Sequence, residues 1–363
     1  MKKMIMYVYG DIQTDARVKR AANALAKNYD LTLLSSDCGV DIKSPDYKNV
    51  LLKCQSSGLR GYLQSVREAL KIVKTEKPDV FYAHDYYSAL LARLLIKRNH
   101  CGKIVYDAHE LIIPEKSQND SHLKLFYWIE STIVHKVDLL ICASQERAKL
   151  MKDHYNLEKE PLVVENISYL STSGDISTLE KSEELNVFFK DKVPTIVYAG
   201  VVTKSRKLDK LLDLAIKMAP TVKLLIVGKG SALSELQEKA CGQKVLHYCF
   251  TGALPYEMLG SLLSKCDVGY LYYPVDTLNN VNCASNKVYE YASVGLPIVA
   301  NDNPTIKSIL EVGRIGVASN NIEDAVSQVL ASLNEYKSAC EVFVRENSWE
   351  RTKENLLTSI EKI

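Results

Sequence analysis

The stretch Asn286-Lys287-Val288-Tyr289-Glu290-Tyr291-Ala292-Ser293-Val294-Gly295-Leu296-Pro297-Ile298-Val299 reads as a helix that stops at a glycine and runs through Leu-Pro into a buried apolar strand. Lys287 and Glu290 are three residues apart, so they share one helix face near the positive end of the macrodipole, where unpaired backbone N–H groups favour phosphate. The cation and the dipole suit a nucleotide diphosphate. The carboxylate accepts hydrogen bonds only, which suits a pair of ribose hydroxyls. A solvated helix start followed by a glycine cap and a core strand explains the same residues, and the stretch alone does not choose.

Outward from this unit, short apolar runs alternate with amphipathic segments for nearly the whole chain, the pattern of parallel sheets covered by helices. In the first half the runs at 4–9, 31–35, 51–54, 80–83, 104–107, 139–142 and 162–164 predict strands. Helices are expected over 15–27, 59–74, 87–97, 122–135 and 145–154. The rhythm breaks over 168–192, which is rich in Ser, Thr, Asp, Glu and Lys. It restarts with strands at 195–198, 223–227, 245–250, 268–271 and 298–300, separated by helices near 208–218, 231–239, 256–264 and 286–294; residues 322–333 and 336–363 read as helical with no further strand. The expected organisation is an α/β chain of two doubly wound domains facing across a cleft: 1–168, a linker at 169–192, a second domain at 193–345, and a last helix at 346–363. Open α/β sheets bind ligands at the carboxyl ends of their strands.

A chain of 363 residues exceeds what one core usually serves, and its apolar fraction of 47% is that of a soluble globular protein. No run approaches the roughly 18 apolar residues of a membrane helix, and the apolar start is too short for a signal peptide, so the cytoplasm is the expected compartment. Nine cysteines without a C-x-x-C pair argue for reduced thiols and against a disulfide frame or a zinc site. Residues 1–170 carry 25 Lys and Arg against 21 Asp and Glu, leaving 21 against 23 for the rest. Arg60, Arg67, Lys71 and Lys74 of the predicted helix 59–74 either solvate that helix or touch anionic headgroups, a peripheral contact at the inner face of a membrane. No dense basic stripe interleaved with aromatics occurs, which excludes nucleic acid as a partner. Nor does a G-x-S-x-G elbow or a P-loop.

Several strand ends carry candidate chemistry. Gly200 opens a loop ending in Lys204-Ser205-Arg206-Lys207 at a helix start, where clustered cations oppose the dipole unless an anion lies between them; a solvent-exposed basic turn is the plainer alternative. Gly228-Lys229-Gly230 and Thr251-Gly252 also follow strands, where glycine lets backbone approach a ligand, but the third glycine of a dinucleotide fingerprint is missing. In the first half, His109 closes a strand within Tyr106-Asp107-Ala108-His109-Glu110 and His84 sits in Ala83-His84-Asp85; an imidazole there donates to a sugar hydroxyl or a developing phosphate charge, or is simply structural. Gly10-Asp11 follows the first strand, and Asp15 reads as an N-cap.

Taken in order, these residues resemble the glycosyltransferase group 1 enzymes, retaining transferases of the GT-B fold with two Rossmann-like domains. The similar stretches are Thr14-Asp15-Ala16-Arg17-Val18-Lys19-Arg20-Ala21, Val105 to Glu110, Val137 to Ser144, Val163-Val164-Glu165-Asn166, Tyr198-Ala199-Gly200 with Arg206-Lys207, Ile226 to Gly230, the opening block, and Ser348-Trp349-Glu350. The resemblance implies transfer of a sugar from a nucleotide-sugar donor to a hydroxyl of a glycan or lipid-linked glycan acceptor in cell-surface polysaccharide synthesis, with no cofactor and no metal. It implies that Glu290 is the second carboxylate of an E-x7-E motif and binds the donor ribose. Arg206 or Lys207 grips the diphosphate, with support from Lys287 and the Asn286 helix start. His109 meets the donor sugar, and Gly10, Gly228 and Gly252 contribute to donor binding. Asn166 is expected near the domain hinge, and the last helix is expected to cross back onto the first domain.

The sequence departs from that pattern twice. Asn282 stands where the first carboxylate of the motif contacts the donor sugar, and Val201 replaces an arginine after Gly200, which shifts diphosphate binding onto Arg206, Lys207 and Lys287. No pair of carboxylates is nominated for a double displacement of the retaining-glycosidase kind. Two further readings remain open at this point: a nucleotide-sugar epimerase of the same fold, and a non-catalytic glycan-binding paralogue.

Overall fold

A computed structural model describes residues 1–10, 12, 15–36, 46–52, 58–115, 120–174, 177, 182–241 and 247–363. Asp11, Thr14, Cys38, Cys54 and the first two residues of the strand expected at 245–250 lie outside the described residues. The chain divides into two compact units, one of Met1–Asn166 with Trp349–Ile363 and one of Ile167–Ser348.

In the first unit seven parallel strands are ordered β3-β2-β1-β4-β5-β6-β7: β1 Lys2–Val8, β2 Tyr29–Ser35, β3 Lys48–Leu51, β4 Val80–His84, β5 Lys103–Ala108, β6 Leu139–Cys142 and β7 Leu162–Val163. The central strands are nearly continuous apolar runs because helices cover both faces; every residue of β4 is buried. Strand order reverses between β1 and β4, which pair in register Met4 to Val80. The edge strand β3 begins three residues before the expected 51–54. Asp15 caps the helix Ala16–Leu25, its side chain accepting from the Val18 N–H at 3.0 Å. The helix Trp349–Glu361 belongs to this unit and buries Leu356 and Ile360 in the cluster of Met4, Met6, Tyr82 and Val105. Full burial of each such side chain contributes about 1.5–3 kcal/mol.

The second unit holds six parallel strands ordered β10-β9-β8-β11-β12-β13: β8 Thr195–Ala199, β9 Lys223–Val227, β10 Tyr248–Gly252, β11 Val268–Leu271, β12 Ile298–Ala300 and β13 Gly316–Ala318. Its order reverses between β8 and β11, so the sheet has its own switch point there. The strand β13 and the helix Pro304–Gly313 before it were not expected. Asn303 caps that helix, accepting from the Ile306 N–H, with proline in its first turn. The stretch read as a linker contributes the helix Glu183–Phe189, which is tied to this sheet by Lys223, a buried lysine whose Nζ donates to the Phe188 carbonyl at 2.6 Å.

The opening stretch folds as read. Its helix spans Asn286–Ser293, Gly295 takes a left-handed φ of 68°, and the Leu296 N–H returns to the Tyr291 carbonyl before β12 begins. Tyr291 fixes this helix to the sheet. Its ring lies where a side chain on Gly269 of β11 would be, and its hydroxyl oxygen accepts the Ala199 N–H at the end of β8 at 2.9 Å.

Candidate active site

At the carboxyl ends of β8, β9 and β11, around the switch point of the second unit, lies a cavity of about 390 Å³. Gly200, Val201, Arg206, Gly228, Asn286 and Lys287 all line it. Glycines are required where the strand ends meet: a Cβ on Gly228, which has φ 145°, would stand 1.9 Å from the Gly200 carbonyl oxygen. The Gly228 N–H donates to the Gly252 carbonyl at 2.8 Å, so Gly252 shapes the rim without lining the cavity.

Two cationic walls face this space. Arg206 ends a short 3-10 turn, Lys204–Arg206, donates from Nη1 to the Tyr272 carbonyl at 2.7 Å, and stacks 4.4 Å over the Tyr273 ring. The other wall is the start of the Asn286 helix, where the N-cap residue Ser285 makes no side-chain bond to the first-turn N–H groups. Lys287 stands on that turn, and its Nζ lies 2.5 Å from Glu290 Oε2. Glu290 is 1% exposed, and its Oε1 accepts from the Tyr256 hydroxyl at 3.3 Å. It sits behind Lys287 and is not among the cavity-lining residues.

Like Gly252 and Glu290, Lys207 and Asn282 were named from sequence and lie outside the lining. Lys207 occupies a left-handed position, φ 52°, between the 3-10 turn and the next helix, and is outside the lining. Asn282 ends the short helix Leu278–Val281 and donates its amide to the Leu278 carbonyl at 2.9 Å. A residue that no sequence motif marks holds Tyr273 in place. Asn301, at the end of β12, grips the Tyr273 backbone on both sides, accepting from its N–H at 2.9 Å and donating to its carbonyl at 2.8 Å.

The first unit gathers a buried polar network where β4 and β5 end. Arg17 donates to Asp107 from Nη2 (2.6 Å to Oδ1) and Nε (3.1 Å to Oδ2), and its Nη1 reaches the Val164 carbonyl and Asn166 Oδ1. Asn166 is the last residue of the unit's first segment. Tyr82 donates to Asp107, and His84 Nδ1 lies 3.2 Å from His109 Nε2. Burial alone would raise the Asp107 carboxyl, but the Arg17 and His109 charges outweigh it and hold it well below the usual range. Burial opposes the charged form of His109, yet the Asp107 charge and hydrogen bond hold it above the ordinary histidine value. His84, fully buried, is held low by burial foremost. The ligand atoms of His84, Asp107 and His109 lie within 4.8 Å of one another, but a dication there would sit beside the Arg17 guanidinium that already balances Asp107. Gly10, two residues past β1, has φ 152° and donates its N–H to Ser36 Oγ at 3.0 Å.

The family model for Glycosyltransferase Family 4 matches residues 16–165, and that for Glycosyl transferases group 1 matches residues 193–335, one on each unit. The chain is a group 1 glycosyltransferase. This transferase shares its fold with sucrose-phosphate synthase from Thermosynechococcus elongatus (TM-score 0.74, 12% identity, covering 100% of this chain and 99% of that one). HepE of Anabaena, solved in complex with UDP-glucose, superposes with a TM-score of 0.75 at 12% identity over 100% of both chains. WaaG, a glycosyltransferase involved in lipopolysaccharide biosynthesis, gives 0.70 at 11% identity over 97% of this chain and 98% of that one. These likenesses are of fold. No curated protein matches the transferase in a sequence search. Among its described residues, no helix is long and apolar enough to cross a membrane.

Proposed function

We propose that this glycosyltransferase takes a sugar from a nucleoside-diphosphate sugar and passes it, with retention at the anomeric carbon, to a hydroxyl of a glycan or lipid-linked glycan in cell-surface polysaccharide synthesis. The observation that carries the reading is the meeting of an uncapped helix start, Lys287 and Arg206 in one cavity at a sheet switch point. A nucleotide diphosphate leaves with developing negative charge. Preorganised backbone N–H groups and two side-chain cations stabilise that charge without a metal. The UDP-glucose bound by HepE supports a donor of this class. Glu290 is assigned to the ribose, with Lys287 released from it to the diphosphate as the donor enters. His109, kept basic by Asp107, is assigned to the sugar hydroxyls. Peripheral contact with an anionic membrane face is supported by Leu59 and Leu63, exposed on the helix Gly58–Glu76 beside Arg60 and Arg67.

Screening nucleotide sugars by thermal stabilisation, then analysing products with the best donor, tests the reading, because specific binding raises apparent stability by mass action. The expected products are free nucleoside diphosphate and a glycoside of retained configuration. An isomerised nucleotide sugar would point to an epimerase, and no stabilisation by any nucleotide to a glycan-binding protein; either result defeats the proposal.

A further inference from the structure

We propose that Tyr273 is a positioning residue that sets both cationic walls of the cavity. Its ring carries the Arg206 guanidinium, and its hydroxyl holds Ser285 away from the backbone donors of the Asn286 helix. This rests on the reading of the cavity as a diphosphate site.

Ser285 occupies the N-cap with extended backbone (φ −77°, ψ 114°), the conformation from which a serine ordinarily accepts a first-turn N–H. Ser144 and Ser182 do so at their helices, accepting from the Arg147 and Leu185 N–H groups. Ser285 makes no such bond. Its hydroxyl is 2.8 Å from the Tyr273 hydroxyl, which donates to it, and Ser285 itself is buried. An occupied cap would compete with an anion for the same N–H groups, so withholding it leaves them open to a ligand. The face of the Tyr273 ring carries the Arg206 guanidinium at 4.4 Å, and the buried Asn301 amide fixes the Tyr273 backbone through both its N–H and its carbonyl. One side chain therefore registers Arg206, which follows β8, against a helix start some eighty residues later in the chain.

The test combines amide hydrogen exchange at Lys287 and Val288 in the free protein with calorimetric titration of pyrophosphate, UDP and GDP. Tyr273→Phe frees Ser285 to cap, so exchange at one of these amides slows about fivefold and diphosphate binding weakens by a similar factor, the weight of one cap bond. Adding Ser285→Ala returns both to parental values, a rescue that a merely structural role for Tyr273 would not produce. Tyr273→Leu also strips the ring from Arg206. It weakens binding further, and Ser285→Ala does not restore that part. Exchange unchanged in Tyr273→Phe, or no rescue by Ser285→Ala, overturns the capping role; equal binding by the Phe and Leu variants overturns the Arg206 role. If the parent binds none of the three anions, the functional reading fails, while the exchange data still decide the role of Tyr273.

Discussion

Arg17→Met should cost the first unit about 3–5 kcal/mol, the range for removing one partner of a buried ion pair. Arg17 is 8% exposed and Asp107 1%. The substitution keeps the buried stem but deletes both donors to the carboxylate, and it strips the Val164 carbonyl and Asn166 Oδ1 of their Arg17 bonds. Tyr82 and the two histidines remain on Asp107, but none of them supplies the two-pronged guanidinium contact that Arg17 makes. The chain offers a selective probe: its two tryptophans, Trp128 and Trp349, both belong to the first unit. Urea unfolding followed by tryptophan fluorescence therefore reports this unit. The double variant Arg17→Met, Asp107→Asn removes both charges of the pair and should recover more than half of the loss. A single variant within about 1 kcal/mol of the parent would refute the claim that this pair holds the network together.

Glu130 is fully buried, bonded by the Tyr106 and Tyr155 hydroxyls, and burial pushes its carboxyl up to about 7 from the usual 4.5. The folded unit thus keeps a proton that the unfolded chain releases, and stability falls by roughly 3 kcal/mol as pH rises through that window. The raised His109 acts in the same direction, its contribution being full below about pH 6.5 and lost as pH climbs through its folded value; the lowered His84 opposes it below about 6.5. Glu130→Gln should flatten the pH profile of the same fluorescence melts, and a profile as steep as the parent's would contradict this origin. Glu290→Gln keeps its size and loses its charge; it should weaken nucleotide binding by about 10- to 100-fold in calorimetry, the worth of a charged hydrogen bond, with the fold intact by circular dichroism. A variant that binds UDP and GDP as tightly as the parent would remove Glu290 from the ribose. His109→Ala should abolish turnover with little change in nucleotide affinity, and unchanged turnover would leave His109 a structural residue.

The fold was legible because buried parallel strands are near-continuous apolar runs, and such runs mark β1, β4, β8 and β9 without tertiary information. Where burial is partial the signal fades. The edge strand β3 was read three residues late, and the three-residue β13 was missed together with the helix before it, although Asn303-Pro304 is a start signal that could have disclosed that helix. Arg206, Gly228, Asn286 and Lys287 could be picked out because they follow strand ends or open a helix. Lys207 was named with them and lies outside the lining. No local pattern marks Asn301, Ser285 and Tyr273, because their roles come from contacts across 12 to 67 residues of chain. The Arg17–Asp107 pair, 90 residues apart, entered only as two separate motifs.

The most direct test of the donor site is calorimetric titration of the parent with a nucleoside diphosphate, its monophosphate and the bare nucleoside, using the base that stabilises best and repeating each titration in EDTA. Affinity should fall in that order, with the diphosphate bound at least about 100-fold more tightly than the nucleoside, as two charge-assisted phosphate contacts require, and EDTA should change nothing. Equal affinity for diphosphate and nucleoside, or diphosphate binding that vanishes in EDTA, would contradict a metal-free site built from Arg206, Lys287 and the Asn286 helix.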